Sequence, residues 1–153
     1  MSAPEHDHHA PLLIAYDGSE GARRAIDVAA SLFPRREAVI FAVAAPVTVG
    51  EAYAETFGVV QGYEELNESV AQETAARGVD HARRAGLVAK GRGEIAVPTW
   101  QGILDAATDV GAPVIVMGAS ERTGARELLE GSVSHDVAKH ARRPVLVVPP
   151  RRR

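Results

Sequence analysis

Apolar residues in this chain gather into short runs that alternate with stretches of helical spacing. Residues 12–16 (Leu-Leu-Ile-Ala-Tyr) form the first run and end at Asp17-Gly18-Ser19. An unbroken apolar run of this length predicts a strand buried on both faces, followed by a turn. From Ser19, a residue suited to an N-cap, apolar positions recur at Ala22, Ala25, Ile26, Ala29, Leu32 and Phe33. That is helical spacing, and Pro34 would break it. Residues 38–45 predict a second buried strand, closed by Pro46, and 46–61, without a clear period, reads as loop. A long helix is expected next, with a stripe through Tyr63, Leu66, Val70, Thr74, Gly78 and Ala82 and a stop at Gly86.

The second half repeats the alternation. Ile95 and Val97 suggest a short, more polar third strand, which places it at a sheet edge. Thr99 is suited to cap a helix carrying Ile103, Leu104, Ala107 and Val110, with Gly111 after it. Residues 114–117 predict a fourth strand ending at Gly118, and Gly131-Ser132 opens a helix with Val133, Val137 and Ala141 inward. Residues 145–148 predict a fifth strand between Pro144 and Pro149-Pro150. Five short apolar strands alternating with about four helices imply an α/β fold: a parallel sheet with helices on both faces, joined by right-handed crossovers.

Composition narrows the chemistry. The 153 residues suit one domain, expected at 11–150, with a disordered tail at 1–10 and a basic tail at 151–153. No cysteine is present, which excludes disulfide scaffolds, cysteine zinc sites and thiol nucleophiles. No apolar run approaches the ~20 residues that span a bilayer, and the start lacks a signal-peptide pattern, so a cytoplasmic protein is expected. Residues 51–80 hold seven acids against one base, while 139–153 hold six bases and no acid. The acids Glu64, Glu65 and Glu68 read as a solvated helix face, and the arginines Arg151 to Arg153 as a solvated end, with no nucleic acid expected as partner. The tail histidines His6, His8 and His9 lack the fixed geometry a metal needs.

In an open parallel sheet, ligands sit beyond the carboxyl ends of the strands where the strand order reverses. Two lips qualify here: Asp17-Gly18-Ser19, and Gly118 onward to Gly131-Ser132-Val133-Ser134. Glycine at a strand end lets a backbone approach a ligand, and the helix opened by Ser132 offers free N–H groups to an anion. The same residues also serve as plain turn and cap residues, and one Ser132 hydroxyl does not cap a helix and bind a phosphate equally well. The P-loop, dinucleotide-binding and nucleophile-elbow patterns are absent, and His135-Asp136 beside Ser132 makes a poor relay because consecutive helix positions diverge by about 100°. Trp100 is read as packing.

Taken together, Tyr16-Asp17-Gly18-Ser19, the Val-Ile-Val-Met-Gly118 strand, Arg122-Thr123-Gly124, Gly131-Ser132-Val133 and Pro144 to Pro149 resemble the universal stress protein family over residues 11–150. The resemblance implies a three-layer sandwich with strand order 3-2-1-4-5, and a homodimer paired through the last strand, Val145 to Val148. It also implies, for some members, an adenine nucleotide at the crevice between strands 1 and 4: ATP or AMP, with Mg²⁺ accompanying ATP. On this chain the matching positions are Asp17 for the ribose, backbone groups near Ala15 and Val43 framing the base with Met117 beside it, Gly118, Gly131, Ser132, Val133 and Ser134 on the phosphate side, and Tyr16 next to Asp17. The family phosphate loop resembles G-x-x-G, nine residues, then G-[ST], whereas Glu121 stands here at the middle glycine.

A carboxylate ~4 Å from a phosphate charge opposes it by roughly 1 kcal/mol in water and about 4 kcal/mol at an effective dielectric of 20. Arg122 and Arg126 lie near enough in sequence to offset part of this, and Glu121 itself is a candidate Mg²⁺ ligand. Three readings follow. One is a nucleotide-binding stress-response regulator with little or no hydrolysis. Another is a nucleotide-free dimeric interaction module whose phosphate site Glu121 blocks. The third, an ATP pyrophosphatase, lacks its S-G-G-x-D-S pattern after the first strand. Replacing Glu121 by glycine is expected to tighten ATP binding more than AMP binding by calorimetry. Equal gains would show that the side chain does not face the distal phosphates.

Overall fold

The structure, a computed structural model, describes residues 9–44, 60–119 and 132–151, the side chains of 60–65 excepted. In chain order the elements are β1 (Leu12–Ala15), α1 (Glu20–Leu32), β2 (Glu37–Ala44), α2 (Val60–Arg84), β3 (Val88–Ile95), α3 (Thr99–Asp109), β4 (Ile115–Gly118), α4 (Val133–His140) and β5 (Val145–Val148). All five strands run parallel in the order β3-β2-β1-β4-β5, the order that the resemblance implied. No helix among the described residues is long and apolar enough to cross a membrane.

Strand alternation divides the core into two layers. Leu12, Ile14, Ile40 and Val116 face α1 and α2, where they meet Ala25, Ile26, Ala29, Val79 and Ala82. Leu13, Phe41, Ile115 and Met117 face the other way, onto Ile103, Ala106 and Ala107 of α3 and Val137 of α4. Every one of these is buried. Continuous apolar runs in β1 and β4 are thus the mark of strands covered on both sides.

The polar third strand is longer than its apolar residues suggest. It begins at Val88 rather than near Ile95, and pairs with β2 from Glu37↔Val88 to Ala44↔Ile95. Val97 lies past its end and is 73% exposed. The reason is α2. A Cβ on Gly93 would collide with the backbone of Ala71 and Gln72, and one on Gly91 would lie 3.2 Å from the Val79 side chain. Helix and strand touch almost backbone to backbone, so glycine occupies the positions where an apolar side chain would have marked the strand. On the opposite face Arg92 bonds Asp109 at 2.8 Å and Glu94, and lies 5.9 Å over the Phe41 ring. Its carboxylate partners, Asp109 first, raise the guanidinium pKa further.

The same close approach corrects the stripe on α2. Leu66 and Val70 point outward, Leu66 being 58% exposed, and the buried line is Asn67, Ala71, Ala75, Gly78, Val79 and Ala82. Small residues line the seat because a Cβ on Gly78 would come within 2.6 Å of Ile40 and 2.8 Å of Tyr16. Tyr63, Glu64 and Glu65 lie outside the residues whose side chains are described, and the helix opens at Val60, within the stretch read as loop. Gly86 does end the helix: at φ +100° it closes a paired cap, Leu87 N to Ala82 O and Gly86 N to Arg83 O.

Two cap expectations need revision. Pro98, not Thr99, is the N-cap of α3, so Thr99 is its first helical residue. Val133 does not point inward: it is 39% exposed at the mouth of α4, and Ala141 is that helix's C-cap, leaving Val137 as its core residue. At the other end of α3, Arg143 donates to the carbonyls of Ala107 and Ala112 and to Thr108 Oγ1, closing the helix from the strand-five side. Introducing alanine at Gly93 is expected to lower stability by about 3 kcal/mol, since overpacking against backbone has little room to relax. Urea denaturation of the variant checks it, with an unchanged midpoint arguing that α2 moves freely.

Candidate functional site

A crevice of about 880 Å³ opens over the carboxyl ends of β1, β2 and β4. In a parallel sheet every following helix begins at this end, and three helix starts border the opening: α1 through Ser19 and Ala22, α3 through Thr99 and Ile103, and α4 through Ser132 to Ser134. Helix starts carry free N–H groups and the positive end of the dipole, so their convergence favours an anion. Asp17 is the one carboxylate among the described lining residues.

The structure brings together nine of the ten residues picked out from sequence. Ala15, Tyr16 and Asp17 line the crevice from the end of β1, Val43 from β2, Met117 and Gly118 from β4, and Ser132, Val133 and Ser134 from α4. The tenth, Gly131, lies outside the described residues, as do Glu121, Arg122, Thr123, Gly124 and Arg126.

Asp17 is exposed and forms an Asx turn, its Oδ1 accepting from Ser19 N at 2.9 Å. Ser19 in turn caps α1 by accepting from Ala22 N at 3.1 Å. A carboxylate has two oxygens and about four acceptor sites, so one turn bond leaves capacity for a ligand hydroxyl. The two uses of Asp17 that the sequence suggested are therefore compatible.

Ser132 resolves differently. Its Oγ accepts from the backbone N of His135 at 3.2 Å and lies 3.2 Å from Ser134 Oγ, so this hydroxyl is the cap of α4 rather than half of a Ser–His pair. Asp136 N is bonded to Ser132 O. That arrangement leaves the amides of Val133 and Ser134, together with the Ser134 hydroxyl, as the groups at this helix start for a ligand. Ser134 is 5% exposed, a buried polar group on the crevice wall.

Gly118 is explained by packing. A Cβ there would collide with the carbonyl of Gly21 in the first turn of α1, and one on Gly21 would lie 3.0 Å from Ala119 O. The glycine thus admits the protein's own backbone. Sequence reasoning missed Phe41, Thr99 and Ile103, which form the wall on the β2 side. The available signal was topological: β2 lies next to β1, and the helix after β3 must start above this end of the sheet. Trp100 points elsewhere and stacks on His140 of α4, with ring centroids 4.3 Å apart and 14° between planes.

Comparison with known proteins agrees with this architecture. The model of the universal stress protein family matches residues 10–149. Universal stress protein YxiE of Bacillus subtilis is 27% identical over 143 residues, spanning 90% of this chain and 97% of its own length. A universal stress protein solved in complex with cAMP superposes with a TM-score of 0.65 at 20% identity, covering 93% of this chain and 98% of that one. The universal stress protein of Archaeoglobus fulgidus in complex with dAMP gives 0.61 at 22% identity, covering 92% and 98%. At such identities the two solved structures speak for the fold. With a family match running from before β1 to the residue after β5, on a sheet of the order that family implies, the chain belongs to the universal stress protein family.

Proposed function

We propose that the chain binds an adenine nucleotide, AMP or ATP, in the crevice and acts as a non-catalytic stress-response regulator. The observation that carries this reading is the polarity of the crevice from one side to the other. Its β2 side is apolar (Phe41, Val43 and Ile103), with Met117 of β4 adding to the apolar lining, as a purine face requires. Its β4 side presents the Val133 and Ser134 amides and the Ser134 hydroxyl, as a phosphate requires. Asp17 lies between, in the turn just past β1, suited to the ribose hydroxyls as a charged acceptor. The cAMP and dAMP bound by the two similar proteins are ligands of the same class.

Among the described lining residues the one carboxylate that could serve as a general base is Asp17, and in this reading it serves the ribose, away from the phosphate side at α4. Mg²⁺ would arrive with ATP, since one carboxylate is too few to hold it alone. Denaturing the purified protein and examining the released small molecules by mass spectrometry, then titrating AMP and ATP with Mg²⁺, tests the reading. Asp17→Asn keeps the turn acceptor but removes the charge, and is expected to weaken AMP about tenfold. Failure of the wild type to bind either nucleotide would leave the nucleotide-free interaction module in its place.

The open edge of β5 supports dimer formation. Pro144 O and Val148 O accept from Ile115 N and Ala119 N around β4, so by the alternation of a parallel ladder Val145 and Val147 turn their amides to the unpaired edge. Val147→Pro removes an outward N–H and costs no bond to β4. Light scattering is expected to show a folded monomer where the wild type is a dimer, and a variant that stays dimeric would refute pairing through this strand.

A further inference from the structure

The sheet ends on one side at β3, and among the described residues no strand pairs with its outer edge. That edge is regular. Val88 N bonds Arg36 O, and eight successive pairs join β3 to β2 without a bulge, from Glu37↔Val88 to Ala44↔Ile95. In a parallel ladder alternate residues turn amide and carbonyl to the same neighbour, so Ala89, Gly91, Gly93 and Ile95 turn theirs outward. Arg83 Nη2 agrees with this phase, donating to Ala89 O at 3.1 Å. A groove of about 500 Å³ lies along the outward row, beside α2. Gly91 and Gly93 form its floor, Ala76 and Val79 its wall, and Asp80 and Arg83 the end nearest the start of β3. An extended chain laid there would meet main-chain groups on the strand and free volume beside them, the two requirements for adding a strand.

Charge selects what that strand carries. Arg83, Arg84 and Lys90 stand exposed at the amino end of β3, none with an acidic partner among the described residues. Lys90 shares a face with Arg92, while Arg83 lies on the α2 side, so bases flank the edge from both faces. Glu94 and Asp109 are taken by Arg92. The acids left nearby are Asp80 in the groove and Glu37, which is across from Val88 and follows Arg35 and Arg36 in the chain. Basic side chains at a sheet edge discourage neutral or basic strands, and leave this one open to an acidic strand. A second copy would bring its own α2, seated on its β3 at Gly93. Strands pair at about 4.8 Å whereas helices pack at 8–10 Å, which favours a lone strand.

We propose that the β3 edge binds an acidic, extended peptide segment of another protein. The segment adds antiparallel, the more stable pairing, so its acidic residues fall in its carboxyl-terminal half, beside Arg83, Arg84 and Lys90. The probe is a fluorescently labelled, capped octapeptide of alternating threonine and valine whose last two residues are glutamate, titrated by anisotropy into the full chain at low salt. It is expected to bind, and to slow hydrogen exchange at the Gly91 and Gly93 amides. Lysine in place of both glutamates, or Arg84→Glu with Lys90→Glu in the protein, is expected to weaken binding about tenfold. N-methylation of alternate peptide residues tests the ladder on the wild-type protein: one phase abolishes binding and the other preserves it. No binding, equal binding of the lysine peptide, or equal effects of the two methylation phases would overturn the proposal. So would a concentration-dependent dimer of Val147→Pro that the peptide dissolves, which would assign the edge to a second copy.

Discussion

The crevice end of the sheet depends on one contact made without side chains. The end of β4 presses into the first turn of α1, where a Cβ on Gly118 would collide with Gly21 O and one on Gly21 would crowd Ala119 O. That contact holds the helix start beside the ends of β1 and β4, with Asp17, Gly18 and Ser19 at the rim. It also leaves the crevice to open toward the other layer, among Met117, Val43 and Ile103. Where helix α1 sits decides which strand ends remain uncovered, and the uncovered ends are the site.

The same principle governs the far edge of the molecule and explains what the sequence concealed there. A helix that lies on its strand through Gly91, Gly93, Ala71 and Ala75 buries little side-chain surface per residue. Hydrophobic periodicity, which reads side chains, is then silent about β3 and misleading about α2, where the conspicuous Leu66 and Val70 face solvent. Where the core is built from large side chains, as in Leu12 to Ile14 and Ile115 to Met117, the apolar runs were legible at once. Long-range clamps left no local trace at all: Arg143 on the end of α3, and the 2.7 Å pair between His81 and Asp27 that joins α2 to α1.

The site was legible to the extent that it is made of turns and caps. Asp17 and Ser132 stand out because Asx turns and N-caps have local signatures, and each was found in that role. The wall on the β2 side was not legible, because Phe41 and Ile103 resemble any other core residues and Thr99 any other helix start. Only the sheet order puts them opposite α4.

The Trp100–His140 stack has a practical consequence. The chain has a single tryptophan, and it bridges α3 and α4, two of the helices whose starts border the crevice. Indole emission depends on what lies against the ring, and here that is an imidazole anchored to α4 by its Nδ1 contact with Asp136 O at 2.9 Å. Any shift of α4 relative to α3 as the crevice fills would alter that emission. The molecule therefore carries its own optical gauge of the joint, readable without a label or a second fluorophore.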